Sequence, residues 1–185
     1  MEDIKIKKAQ SLAADRDFCF RMASDEDAET VNSLMQEIYG RMPLPEYFVC
    51  EDLTYVKSHI REKGFTILAC SPDGEIAGFL IIHFPGREED NLGVDTGVRE
   101  DELDKVAVMD ICMVVEKARG HHLERRLLLH AEQFLPAEKY RYLTATAHPE
   151  NAPSVRSLKG AGYEIKTVKE KYGGKLRAVM QKDRA

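Results

Sequence analysis

With 185 residues, a hydrophobic fraction of 43%, a charged fraction of 32% and a formal net charge of -5, the chain has the size and balance of one ordinary globular domain, long enough to bury a core. The acidic balance and the absence of tryptophan-laced basic runs exclude a general nucleic-acid surface, which needs a basic face to collect phosphates. Cys19, Cys50, Cys70 and Cys112 are scattered, with no CxxC and no histidines at zinc-ligand spacing, so they read as small apolar fillers in a reducing compartment.

Apolar runs such as Ile76 to Phe84 are strand-sized and far short of a membrane span, and the amino terminus MEDIKIKKAQ has no apolar signal core. A cytoplasmic protein without a membrane partner is the expectation. Residues 1–17 are polar and weakly patterned, compatible with a short strand and helix, an ordered extension or a tail; they are set apart here as an N-terminal extension to a single domain of residues 18–185. Phe18 to Met22 alternates as a strand. Ser24 with Asp27 three residues on resembles a capping box, and Ala28, Val31, Met35 and Ile38 then share one face of a helix that ends near Gly40.

The segment Met42-Pro-Leu-Pro45 breaks the chain, and a second helix is predicted over 52–63, stopped by Gly64. Strands over 66–71 and 75–84 flank Pro72-Asp73-Gly74, a turn sequence that makes them an antiparallel hairpin. Residues 87–105 are acidic and glycine-punctuated, long for a loop and of the length that often serves as a lid, with one helical turn over 100–105.

Residues 106–115 (VAVMDICMVV) form a buried strand, after which Leu123, Leu127, Ala131 and Phe134 recur at helical spacing. A helix opening out of a strand presents free backbone N–H groups and the positive end of its dipole, and Arg119, Arg125 and Arg126 lie within about a turn. Such a junction suits phosphate; the competing reading is a solvated basic turn. A strand over 142–148 follows, then a short helix with Asn151 as N-cap, Pro153 in its first turn and Gly162 at its end. Two closing strands, 163–171 and 175–182, are joined at Gly173-Gly174. The order β-α-α-β-β-β-α-β-α-β-β implies an α+β fold, a mixed central sheet with antiparallel hairpins and one parallel pair in the middle.

In that order and with these residues the chain resembles the GNAT acyltransferases, which move an acetyl group from acetyl-CoA to an amine. Val114 and Arg119 match the strand end and first basic position of the family's phosphate motif, and Asn151 with Gly162-Tyr163 match its later Asn, short helix and Gly-aromatic pair. A closer likeness to a group of bacterial GNAT proteins is carried by Met109-Asp110, Arg119-Gly120, His148-Pro149-Glu150-Asn151 and Tyr172-Gly173-Gly174-Lys175-Leu176-Arg177. The resemblance spans residues 18–182 and implies a central pair that is splayed.

It also implies acetyl-CoA as co-substrate, held by free backbone N–H groups of a bulged, splayed strand at Cys112, Met113 and Val114, by the turn and first helical amides over Arg119, Gly120, His121, His122, Leu123, Glu124 and Arg125, and by Asn151, Ser154 and Leu158 on the short helix. There are two departures from the family pattern. His122 and Glu124 stand where it has motif glycines, and Glu124 is expected to turn outward so as not to repel phosphate. Leu158 stands where many members carry a tyrosine that protonates the departing thiolate, leaving Ser154, Ser157 or Tyr172 as substitutes.

For the general base the sequence offers Asp110, whose apolar strand neighbours should raise its pKa, and His148, whose ordinary pKa already suits the task. The plainer readings are an Asp110 that only hydrogen-bonds a neighbour and a satisfied structural histidine. Tyr172 and Arg177 on the last hairpin are placed towards the acceptor. Adjacent His121 and His122 point apart and lack a third ligand, so no metal is expected.

The function that follows is N-acetyl transfer to a primary amine of a small molecule. The alternatives are a ligand-sensing or partner-binding domain on the same fold with weak or lost turnover, and an enzyme acting on protein amino termini or lysines. The acidic residues Glu88, Glu89, Asp90 and Asp95 point to a cationic acceptor such as a polyamine or aminoglycoside, against the plainer reading of a solvated face. The resemblance also allows a homodimer through the outer strands.

Overall fold

In a computed structural model the described residues are 12–15 and 18–184. Eight strands and five α-helices follow one another in the chain: β1 (Leu12–Asp15), β2 (Phe18–Met22), α1 (Ala28–Gly40), α2 (Leu53–Arg61), β3 (Gly64–Cys70), β4 (Ile76–His83), α3 (Leu92–Thr96), β5 (Val106–Val114), α4 (Leu123–Gln133), β6 (Tyr142–Ala147), α5 (Ala152–Gly160), β7 (Glu164–Lys171) and β8 (Lys175–Asp183). They build one mixed sheet in the order β1-β2-β3-β4-β5-β6-β8-β7. Among the described residues only β5 and β6 pair in parallel, as the sequence pattern required.

The alternation of side chains decides the layers. On one face Leu68, Phe79, Ile81, Ile111 and Met113 meet Val31 and Met35 of α1 and Val56 of α2. On the other, Ile67, Leu80, Ile82, Met109, Ala145 and Met180 meet Leu123, Leu127 and Ala131 of α4 and Leu158 of α5. Helices on both sides explain why β3, β4 and the first half of β5 read as near-continuous apolar runs rather than as alternating strands. Each fully buried Phe or Leu here contributes roughly 2 kcal/mol.

The local signals act as expected where they are local. Ser24 N–H and Oγ both donate to Asp27 Oδ2, at 2.8 and 3.0 Å, and Asp52 accepts from Tyr55 N–H at 2.9 Å to start α2. Gly74 closes the β3–β4 hairpin with φ 84°, its N–H donating to Ser71 O at 2.9 Å.

Two elements add to the predicted order. Part of the undecided N-terminal stretch forms β1, which pairs with β2 in antiparallel fashion. Within the 87–105 segment, α3 forms because Asn91 caps it, accepting from Gly93 N–H at 2.8 Å. Asn91 is fully buried, and its amide donates to Gly86 O at 2.6 Å and Leu103 O at 3.1 Å, while Leu92 packs on Val106, Val108 and Val179. The segment is therefore docked on the sheet. A stretch this short and polar lacks the periodicity that identifies a helix, so its capping asparagine was the one available signal.

Candidate active site

Everything at the site follows from an irregularity in β5. Against β4 the register runs Ile82 with Met109 and then Ile81 with Ile111, so Asp110 is an extra residue, a β-bulge. Met109 faces α4 and α5, yet Ile111, two residues later, faces α1 and α2. Its parallel pairing with β6 also stops there: Met109 opposite Ala145 is the last registered pair, although β5 continues to Val114 and β6 to Ala147. Beyond the bulge the two strands diverge. On the side facing the gap, β5 amides have lost the neighbour that would accept from them.

A cleft of about 1180 Å³ opens at this divergence. It passes through the sheet, reaching Arg119, Gly120, His122 to Arg125, Asn151, Ser154 and Leu158 on the α4–α5 side and Glu51, Tyr55, His83, Asp90, Tyr172 and Arg177 on the α1–α2 side. A shallower depression of about 450 Å³ at Lys105, Arg141 and Arg184 contains none of the candidate residues.

Asp110 lines the cleft at the bulge, its carboxyl held by Tyr55, whose hydroxyl donates to Oδ2 in a very close contact. Burial raises the Asp110 pKa, and the Tyr55 hydrogen bond opposes that rise. Burial and then the Asp110 charge push the Tyr55 phenol the same way, up, so this proton stays on oxygen and the bond always runs from Tyr55 to Asp110. Oδ1 is left for the cleft. Glu51 joins this group: burial, then Asp110 and Asp52, raise its pKa.

Behind Tyr55 lies a chain of imidazoles. His59 Nδ1 is 2.8 Å from Tyr55 O, a carbonyl that can only accept, so Nδ1 carries the proton and Nε2 accepts from His83 Nδ1 at 2.9 Å. Burial and then His83 lower the His59 pKa to about 4, with the Tyr55 carbonyl opposing, which keeps this ring neutral. With Nδ1–H committed, His83 Nε2 can donate to Asp90 Oδ2, 3.2 Å away, only as imidazolium. A neutral His83 leaves Nε2 a buried acceptor without a hydrogen-bond donor. His83, Glu88 and Asp90 bring one imidazole nitrogen and two carboxylate oxygens within 4.8 Å of one another, a set able to hold a cation. It is distinct from the His121-His122 pair considered in the sequence.

On the last hairpin Tyr172 has φ 51°, and Gly173 and Gly174 follow in the same left-handed region. That turn lays the Tyr172 hydroxyl beside Thr146 and within electrostatic reach of Asp110; burial, then Asp110, pushes its pKa up to about 12. The guanidinium of Arg177 lies 5.9 Å from the centroid of the Tyr172 ring.

The α4 side has the features of an anion site. Arg126 N–H donates to His122 O, which leaves the amides of Leu123, Glu124 and Arg125 ahead of the first helical bond. Gly120 has φ 87° and His122 φ 55°, so the second position is one that favours glycine and here holds a histidine.

Glu124 corrects the expectation of an outward carboxylate. It is half-buried between α4 and α5 and accepts from Ser154 Oγ at 2.8 Å. Burial raises its pKa, Ser154 and then Ser157 oppose the rise, and its charge adds to burial in raising the nearby Cys112 thiol. The serines of α5 supply what solvent would otherwise have to. Leu158 is 4% exposed and belongs to the core between α4, α5 and the sheet while touching the cleft. Asn151 caps α5, its side chain facing Ser154 N–H at 3.4 Å.

Of the residues singled out in the sequence, Asp110, Cys112, Met113, Val114, Arg119, Gly120, His122 to Arg125, Asn151, Ser154, Leu158, Tyr172 and Arg177 converge on the cleft. His148 and His121 do not line it. His148 stacks on Tyr47 at 4.4 Å and its Nδ1 accepts from Glu150 N–H at 3.2 Å, whereas His121 meets the edge of Phe18. Asp95 is neutralised by Lys169 at 2.7 Å and by Lys171, so the acidic loop contributes Asp90 to the cleft and spends Asp95 on β7. The sequence reading missed Tyr55, His83 and Glu51. Tyr55 and His59 at helical spacing and a histidine closing the apolar strand β4 were the available signals.

The family model for acetyltransferase (GNAT) matches residues 30–163. No curated protein matches the chain. Among solved structures, an acetyltransferase of the GNAT family from Streptococcus pneumoniae is similar at 16% identity, TM-score 0.70, covering 91% of this chain and 99% of that one. Arabidopsis thaliana NAA60, solved with acetyl-CoA, is similar at 15% identity and TM-score 0.72, over 90% of this chain and 99% of its own. An aminoglycoside acetyltransferase solved with coenzyme A and kanamycin is similar at 15% identity and TM-score 0.65, over 90% and 95% of the two chains.

Proposed function

Because the chain belongs to the acetyltransferase (GNAT) family, we propose that it moves the acetyl group of acetyl-CoA to a primary amine of a small molecule, with Asp110 as general base. The observation that carries this reading is the placement of a burial-raised carboxylate on the bulge where β5 and β6 part, with Tyr55 fixing one of its oxygens. Acetyl-CoA enters on the α4–α5 side, its phosphates at the amides over 123–125 with Arg119, and its pantetheine arm along Cys112, Met113 and Val114.

The acceptor enters from the α1–α2 side. Asp110 takes a proton from its ammonium, and the freed nitrogen pair attacks the thioester carbon. Backbone N–H groups of β5 that no longer have β6 beside them receive the developing oxyanion. Collapse breaks the C–S bond and releases CoA thiolate, and the nitrogen gives up its second proton to solvent as the neutral amide forms. Tyr172, with its pKa near 12, is a hydrogen-bond donor to that sulfur rather than its proton source, since an ordinary thiol titrates near about 8.5. Solvent or the newly protonated Asp110 returns the proton.

A second reading, a ligand-sensing domain with weak turnover, is favoured by the inward Glu124 carboxylate and by Leu158 in place of an acid. Thermal unfolding with and without acetyl-CoA, coupled to thiol release with a panel of amines, separates the two. Saturation at about 100 times Kd stabilises the native state by about 2.7 kcal/mol. An upward shift with amine-dependent thiol release that Asp110→Asn lowers by about 10²-fold or more supports acetyl transfer. A shift without release supports sensing of the cofactor, and no shift at millimolar cofactor overturns acetyl transfer and leaves a sensing or partner-binding domain on the same fold.

A further inference from the structure

Arg177 is 2% exposed, yet no carboxylate is paired with it among the described residues. Its Nη1 donates to Leu176 O at 2.8 Å, its guanidinium packs against the Tyr172 ring, and its buried Nη2 has no acceptor. Desolvation disfavours its charged form. An arginine still carries its charge in such a place, and an unpaired buried guanidinium is costly to keep. It lines the acceptor half of the cleft.

Its position relative to Asp110 is set by register. Asp110 follows Met109, which pairs with Ala145, so Thr146 is the next residue on β6; Thr146 pairs with Val179, and Arg177 lies two residues along β8 on the same face. At the last paired rung two strand spacings, about 10 Å, separate the β5 and β8 rows, and the divergence beyond it widens the gap between Asp110 and Arg177. Tyr172 lies within electrostatic reach of both charges. Around Asp110 the cleft is acidic, with Glu51 and Asp90, and at Arg177 it is cationic.

We infer that the acceptor is a bipolar molecule, an amine that also bears a carboxylate or phosphate, bound with its ammonium at Asp110 and its anion on Arg177. This rests on the acetyltransferase reading and narrows its substrate class. It also refines the cationic acceptor drawn from the acidic loop, which would leave the Arg177 guanidinium uncompensated.

The test uses matched amines that differ by the anion alone: lysine against cadaverine, alanine against ethylamine, phosphoethanolamine against ethanolamine. Thiol release at saturating acetyl-CoA is measured for the full chain, Arg177→Gln and Arg177→Lys. Calorimetric binding of the same compounds to the CoA-loaded proteins runs alongside, with unfolding temperature as the check on folding.

The anionic member of at least one pair is expected to be favoured by about tenfold or more, with Arg177→Gln erasing the preference and Arg177→Lys keeping part of it. Whether lysine and alanine or phosphoethanolamine shows the effect identifies the anion. Equal values within every pair, or an Arg177→Gln that weakens all amines alike, overturn the inference. Arg177-dependent binding without thiol release would sink the acetyltransferase reading and leave the anion site standing, and no binding of any anionic amine overturns the site.

Discussion

At Asp110 one position is asked to serve two ends. Its pKa is raised by burial, so the group binds its proton more tightly folded than unfolded. The sign follows: its contribution is fully favourable below the unfolded pKa and is lost as pH rises through the folded one, because burial disfavours the charge. Asp110→Asn keeps an acceptor for the Tyr55 hydroxyl and removes that charge. The variant is therefore expected to melt higher than the parent at pH 7, with the difference vanishing towards pH 3, while acetyl transfer falls. Unfolding temperature followed across that range checks it, and an Asn variant that melts lower at pH 7 contradicts the assignment of a costly buried carboxylate. Catalysis by the parent should rise with pH through a midpoint above the ordinary carboxylate range.

At the scale of the element, the junction between β5 and α4 shows how a motif tolerates departures. The glycine of the family pattern gives way to His122 with φ 55°, a conformation that costs an L-residue roughly 1–2 kcal/mol. The side chain is exposed, so the backbone keeps its path and the amides of α4 remain presented. His122→Gly is expected to raise stability by about 1 kcal/mol and to tighten CoA binding, since the strain and a Cβ near the phosphates disappear together. Denaturant unfolding and a CoA titration measure both. A destabilised variant would mean that the imidazole makes a contact worth more than the strain.

Glu124 is handled differently: Ser154 of α5 satisfies it inside the protein, which ties the start of α4 to the neighbouring helix. Sequence alone predicts the opposite orientation because carboxylates are cheapest in water, and nothing local announces a serine thirty residues away in the chain.

For the molecule as a whole, the cleft is a property of the sheet. Among the described residues every neighbouring pair of strands but one is antiparallel, and the single parallel pair is the one that parts beyond the bulge. Segment 87–105 borders the cleft on the α1–α2 side, pinned by Asn91 and Leu92, with Asp90 carried to His83. Asn91→Ala would strip two carbonyls and a helix cap of their partner and should cost about 2–4 kcal/mol of stability. Its signature is local: amide exchange should rise across 87–105 before it rises in β4 or β5. Uniform acceleration would show that the segment and the sheet open as one unit. Among the described residues no helix is long and apolar enough to cross a membrane.

The sequence by itself determined the order of nearly all the elements, the position of the parallel pair and the turn that leads from β5 into α4. These depend on periodicity, caps and turn chemistry within about ten residues, as at Ser24, Gly74 and Asn151. It also brought Asp110 forward, because a carboxylate amid a buried strand is conspicuous wherever it points. Only the tertiary structure decided what Asp110 touches. A one-residue bulge reverses the facing of β5, α2 delivers Tyr55, β4 delivers His83, and β8 delivers an unpaired Arg177. It also drew His148 away onto Tyr47. Contacts between strands that are distant in the chain depend on register and packing, and a slip of one residue turns a side chain to the other face of the sheet.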